Sequence, residues 1–466
     1  RNLVEHGGDF GGVFSQVCGG HPLTLSSGAE NPLLLRGFQL FIVPSRYPEG
    51  MAHALTTPTL AVKTRRMSPT DSLIDWVSAD NPLVMQRMGQ GLVGLGEALR
   101  WEFTGPHRFA DASAAWASLV TNAHIDNPLG IPGSGLVCFG AFTFGDQSSH
   151  TSVVIVPAVV IGVMGDTSFR TDITVNESGA QAPTARTSRP HSLAPLEWHP
   201  GLLGEADYRN AVSHTIERLK EGEADKVVLA RDMVATAPGS KDWRAALEKL
   251  SDAYPDCVTF AIDGLVGSTP ETLAKVHKNS LSLRVLAGSS RRGENPAEDR
   301  ALAQELVTST KDNDEHRFAV ENVLSSLSAV SAQVAADEQP TTIKLANVWH
   351  LGTDVEATLP DHCTSLDVVA ALHPSAAVAG SPTTAALSLI AEMEPFDRGR
   401  YAGPVGWMDE RGDGEWSIAL RCAQWSNDGH ITAYAGAGIV DESDPERELL
   451  ETRLKFRPIL QAFGGD

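Results

Sequence analysis

A chain of 466 residues can form one large domain or two ordinary ones, and 20% charged with 42% hydrophobic residues is the make-up of a soluble globular protein. The formal net charge of -21 excludes nucleic acid and anionic membranes as natural partners, so an anionic substrate must be drawn in by local cations. Cys18, Cys138, Cys257, Cys363 and Cys422 form no CxxC pair and read as reduced thiols of a cytoplasmic protein.

Arg1 to His6 lacks a basic-then-apolar leader design, which again predicts a cytoplasmic location. Residues 1–40 are Gly-rich and form an unmatched N-terminal segment, followed by a predicted N-terminal lobe over 41–200. Within that lobe Leu136 to Phe142 and Val153 to Val156 read as strands bounded by turn residues. The longest apolar stretch, Ser152 to Met164, contains Pro157 and is shorter than the ~20 residues of a membrane-spanning helix. Gly89 to Gly94 fits GxGxxG, but Pro82 to Met88 is a poor strand and no βαβ context follows, so a close-packed turn is expected rather than a nucleotide site. Residues 176–204 have the composition of a surface linker, and Glu205 to Leu219 reads as a helix.

The remainder, 201–466, carries the chemistry. Lys226 opens an alternating strand with Val228 and Ala230 on its face, which places a lysine among small apolar residues or leaves it snorkelling at the strand start. Glu271 follows Pro270 at a turn between strands, where a solvated acid is the simplest reading. Asp312 with Glu315, and Glu448 with Glu451, are carboxylates three residues apart, each pair on one face of a predicted helix. They are either two solvated helix faces or, if they converge, a concentration of negative charge that calls for a cation such as Mg2+. Val320, Val323, Leu324 and Leu327 continue the first helix; Ser443 to Glu446 has capping-box spacing and Pro445 sits in the first turn of the second. Long strand blocks with interspersed helices predict an α+β fold rather than regular βαβ winding.

In order and spacing, Asp225 to Arg231, Pro270 to Leu273, Leu286 to Gly293, Trp349 to Gly352, Leu372 to Pro382, Glu394 to Arg398, Tyr401 to Gly403, Ile418 to Arg421 and Tyr434 to Val440 resemble the chorismate-utilising enzymes. That family includes anthranilate, aminodeoxychorismate, isochorismate and salicylate synthases, and the resemblance is dense from about Glu205 to Pro458. It implies a large two-lobed antiparallel β-sheet core with helices packed outside, and a chorismate-binding catalytic region over 201–466. Lys226 matches the family base that activates water, and Glu271 the general acid that protonates the departing C4 hydroxyl. Neighbouring carboxylates and partial burial would keep that acid protonated.

The resemblance further makes Glu315 and Glu451 Mg2+ ligands, with Asp312 and Glu448 as supporting acids behind them. Lys455, four residues after Glu451, would pair with a carboxylate. Arg421, read as lying on one strand from Trp416 to Gln424, would grip a substrate carboxylate, with Tyr401 and the Gly436 backbone NH beside it. Gly288, Ser289, His350 and Ala377 complete the substrate-binding positions. Without the resemblance His350 reads as a satisfied structural histidine. Ser289 and Ser290 depart from the commoner Thr-Arg of the family.

Lys226 is the residue of the water-using members, where the amine-using ones carry Gln. Ala287 stands where one type of aminodeoxychorismate synthase has a nucleophilic lysine. Ala377 stands where salicylate synthases have threonine, so the expected activity is that of a Mg2+-dependent isochorismate synthase, with salicylate synthase as the alternative. A non-catalytic chorismate binder and a nicotinamide oxidoreductase are more remote. A monomer without a glutamine amidotransferase subunit is expected, with a product destined for menaquinone or a catechol siderophore.

Overall fold

The computed structural model describes residues 58–175, 195–237, 242–344, 348–426 and 428–464. The N-terminal segment 1–40 and most of the expected linker, 176–194, lie outside them. Two large sheets dominate, one of thirteen strands and one of ten. The pairing is antiparallel apart from Leu60–Arg66 beside His124–Asp126, as the α+β reading predicts.

The expected boundary at residue 200 does not separate two lobes. In the larger sheet Val258–Ile262 pairs with Leu83–Arg87, and in the smaller Pro404–Asp409 pairs with Val137–Ala141. Each lobe is therefore a sheet that draws strands from both halves of the chain, and the described residues form one compact unit.

Two-residue alternation places the larger sheet between two cores. Met85, Leu92, Val160 and Phe260 join a core shared with Phe139, Trp407 and Trp416 of the smaller sheet. Their chain neighbours Val84, Val93, Ile161 and Ala261 point the other way. There they meet Ala246, Leu247 and Leu250 of the helix Arg244–Ala253, and Phe456 and Ile459 of the last helix, Pro445–Ala462. The expected external helices are thus in place.

The GxGxxG segment belongs to a hairpin: Leu83–Arg87 and Gln90–Leu95 are antiparallel neighbours joined at Met88 and Gly89. Only Gly89 of the motif lies in the turn, an open one rather than the close-packed turn expected, and the rest is strand. The preceding segment is nevertheless a strand, because its sheet partners on both sides override its weak local preference. Among the described residues no helix is long and apolar enough to cross a membrane.

Candidate active site

Two strands pass from one sheet to the other, and the candidate site forms where they cross. Leu265–Thr269 belongs to the larger sheet and Thr272–His277 to the smaller, with Pro270 and Glu271 as the connection. Running back beside them, Gly414–Ile418 belongs to the smaller sheet and Cys422–Trp425 to the larger. The Ile418 amide donates to the Glu271 carbonyl at 3.0 Å and the Ser268 amide to the Arg421 carbonyl at 3.2 Å. The acid and the arginine therefore sit on neighbouring chain segments at the seam, three residues apart in register, near enough for the arginine's charge to act on the acid.

Arg421 does not lie on a continuous strand from Trp416 to Gln424. The strand breaks at Ala419 to Arg421, and Arg421 takes a φ of +48°, a conformation uncommon for a side-chain-bearing residue. Its guanidinium is largely desolvated, which lowers its pKa, and it feels Cys257, Tyr401 and Glu451. Among the described residues no ion pair or hydrogen bond engages that guanidinium.

Lys226 begins the strand Lys226–Thr236, whose neighbour His430–Ile439 brings Gly436 and Gly438 opposite Ala230 and Val228. The lysine stem runs across Gly438, where an added Cβ would lie 2.7 Å from Lys226 Cε, and Nζ reaches Glu315 Oε1 at 3.2 Å. Among the described residues the outer edge of this strand has no partner strand beyond Ala433. Lys455 fills part of it, donating to the Gly436 carbonyl at 2.7 Å while pairing with Glu451 Oε1 at 2.7 Å. The two acidic runs thus converge, each through a lysine, on one short stretch of strand. Glu315 and Glu451 themselves remain exposed to solvent.

The elements that carry them are held locally. Ser309 caps the helix Thr310–Leu327 by accepting from the Asp312 amide, and buried His316 ties it to the Ala287 carbonyl and the Thr353 hydroxyl at 3.1 and 2.7 Å. Gly288 has a φ of +71° at a bulge, which favours glycine, and a Cβ there would sit a tight 3.1 Å from the Asp312 carbonyl. Ser289 lies opposite His350 in the ladder. Asp444, not Ser443, caps the last helix by accepting from the Arg447 amide. Ser443 instead donates to Glu448 Oε1 at 2.9 Å.

Burial raises the Glu271 pKa above the carboxylate norm. The expected contribution from neighbouring carboxylates is absent from this shift: the charges that act on it are Lys455, Lys226 and Arg421, and all three oppose it. Glu448 is also raised, by burial first, with the nearby charge of Glu451 adding to it and the Ser443 hydrogen bond opposing. Burial lowers the His350 pKa, opposed by a hydrogen bond to the Gly288 backbone, and its buried Nδ1 meets no partner at full hydrogen-bond geometry. Tyr401 is buried, stacks on Tyr434 with centroids 5.1 Å apart, and places its hydroxyl 3.2 Å from where a Gly436 Cβ would lie. Ala377 is exposed in a turn between Ser365–Leu372 and Gly380–Ser381.

Several residues had no role in the sequence reading. His316 anchors the helix of Glu315; Arg231 reaches the Thr452 hydroxyl at 2.8 Å and so ties the Lys226 strand to the helix of Glu451. Gly438 shows only as the second glycine of an alternating pair. Gly438→Ala is expected to displace the Lys226 stem and lower turnover by up to ~10^2-fold, the scale on which a misplaced catalytic group is felt. Steady-state kinetics alongside a thermal melt checks this.

Among the described residues no three His, Cys, Asp or Glu side chains converge closely enough to cage a metal by themselves. The donors still suit Mg2+, which takes one or two carboxylates and completes its shell with water and substrate oxygens. Glu315 and Glu451 each pair with a lysine through Oε1, and Glu448 lies within reach of the Glu451 charge.

An arginine, two lysines and several acids are thus brought near one another where the two sheets meet. The chain belongs to the chorismate binding enzyme family, whose model matches residues 75–464. An isochorismate synthase DhbC of Bacillus subtilis is 38% identical over 56% of this chain and 68% of its own. A salicylate biosynthesis isochorismate synthase of Pseudomonas aeruginosa is 30% identical over 89% of this chain and 93% of its own. The structure of MenF, the menaquinone-specific isochorismate synthase of Escherichia coli, superposes with a TM-score of 0.72, covering 88% of this chain and 95% of that one at 23% identity, a likeness of fold.

Proposed function

We propose that the chain is an isochorismate synthase, converting chorismate to isochorismate by adding water at C2 and expelling the C4 hydroxyl. The observation that carries this reading is the placement of Glu271, a carboxyl whose pKa burial raises, within the field of Lys226, Lys455 and Arg421. Such a site pairs a proton donor with an amine, as a substitution of hydroxyl by water requires.

Lys226 removes a proton from water as its oxygen bonds to C2. The ring double bond shifts, the C4–O bond breaks, and Glu271 delivers its proton so that water, not hydroxide, departs. Proton return from Lys226 to Glu271 through water resets the site. Water is taken up and released in equal amounts, so the reaction is an isomerisation and is reversible. Arg421 holds a substrate carboxylate bidentately, with Tyr401 and the outward-facing Gly436 N–H beside it. The Gly288–Ser289 bulge and His350 line the same site, and Ala377 offers a methyl where a hydroxyl would favour a further elimination.

Mg2+ on Glu315 and Glu451, backed by Asp312 and Glu448, would neutralise the ring carboxylate of chorismate and draw electron density toward it. Purified protein given chorismate and Mg2+ is expected to yield isochorismate without pyruvate, read by chromatography. Exhaustive chelation is expected to abolish turnover and added Mg2+ to restore it. Salicylate and pyruvate as the main products would overturn the reading, and turnover surviving chelation would overturn the metal's part in it.

A further inference from the structure

Glu394 and Arg398 form a buried ion pair just behind the proposed site, with side-chain exposures of 2% and 3%. A buried pair is a poor source of stability, because desolvating two charges offsets most of their attraction. What distinguishes this one is the set of segments that it joins. Arg398 Nη2 donates to the Val228 carbonyl at 2.7 Å, and Nη1 to the Val378 carbonyl at 2.9 Å. Glu394 accepts from Arg398 Nε and Nη2 at 2.8 and 2.6 Å, and its Oε1 also accepts from the Ala230 amide at 2.8 Å. The guanidinium lies 4.4 Å from the Phe144 ring centroid and 5.9 Å from that of Tyr401.

Val228 and Ala230 are on the strand that Lys226 opens, and Val378 adjoins Ala377. One planar fork therefore spans the strand of the base, the segment of Ala377 and the ring of Tyr401. Nothing in it touches the helices of Glu315 or Glu451. We propose that Glu394 and Arg398 are positioning residues that set Lys226, Tyr401 and the Ala377 segment at their working separation, a role that rests on the isochorismate synthase reading. A lysine at 398 keeps the charge but cannot serve two carbonyls and a carboxylate in one plane.

The test compares wild type with Arg398→Lys and Glu394→Gln, correcting rates for the folded fraction read by near-UV circular dichroism. Arg398→Lys is expected to lower kcat by about 10- to 10^2-fold, as misplacement of a base does. Ammonium salts, whose ammonia attacks without a base, are expected to restore a larger share of the lost rate in Arg398→Lys than they add to wild type. Glu394→Gln, which retains an acceptor for the Ala230 amide, is expected to fall between the two. A corrected kcat within twofold of wild type overturns the proposal, as does a rate loss that ammonium leaves unchanged, which would mean general loosening rather than a displaced base. If neither variant folds, the pair serves the fold and the proposal is also overturned. A wild-type protein that makes no isochorismate would instead refute the functional reading.

Discussion

Lys226→Ala is expected to lower turnover by ~10^2–10^4-fold, the range typical of losing a general base. The lysine opens its strand, crosses the bare backbone of Gly438 and ends 3.2 Å from Glu315 Oε1. Alanine fits the strand and leaves the space beside Gly438 empty, so the fold should persist while water loses its proton acceptor. Glu315 loses its lysine partner in the same variant, so chorismate affinity should be measured separately from kcat. Near-normal isochorismate formation by Lys226→Ala would remove Lys226 from the mechanism. Lys226→Gln with ammonium salts checks the same role, because ammonia attacks without a base.

Glu271→Gln is expected to cost a comparable ~10^2–10^4-fold, since hydroxide is a poor leaving group without a proton donor. This substitution also carries a stability signature. The Glu271 pKa is raised in the folded protein, so the folded state holds its proton over a range where the unfolded chain has released it. Below the unfolded pKa both states are protonated and the two proteins should differ least. As pH rises from there through the folded pKa, the unfolded state binds fewer protons and wild-type stability falls, whereas glutamine does not titrate. The variant should therefore gain thermal stability over wild type between mildly acidic and neutral pH while losing activity. Melts of both proteins across that range check the sign; a stability gap that does not grow with pH would mean Glu271 is not held in its protonated form by the fold.

The chemistry-bearing positions were legible where a local pattern was distinctive. The carboxylate pairs at Asp312/Glu315 and Glu448/Glu451 stand on helices, and Lys226 opens an alternating strand. Their convergence follows from residues that one segment cannot reveal: Gly436 and Gly438 form the floor across which both lysines reach. The break at Arg421 was hidden because residues Trp416 to Gln424 read as one strand. It is enforced from outside, by the Ala419 amide bonding to the Gly403 carbonyl and by the change of sheet on either side. Ser443 and Asp444 are both good helix caps, and only the engagement of Ser443 with Glu448 decides between them. The raised pKa of Glu271 was foreseen with a partly wrong cause, since its charged neighbours are cations brought from distant segments. The boundary at residue 200 failed for the same reason, because pairing between remote strands leaves no local mark.

The central claim is that water attacks C2 while the C4 hydroxyl departs, and turnover in H2 18O tests it most directly. Chorismate incubated briefly with the protein and Mg2+ in labelled water, then analysed by mass spectrometry and NMR, should give isochorismate with one 18O at the C2 hydroxyl. Unlabelled isochorismate would mean that the hydroxyl migrates within the substrate, leaving Lys226 without a water to activate and contradicting the mechanism.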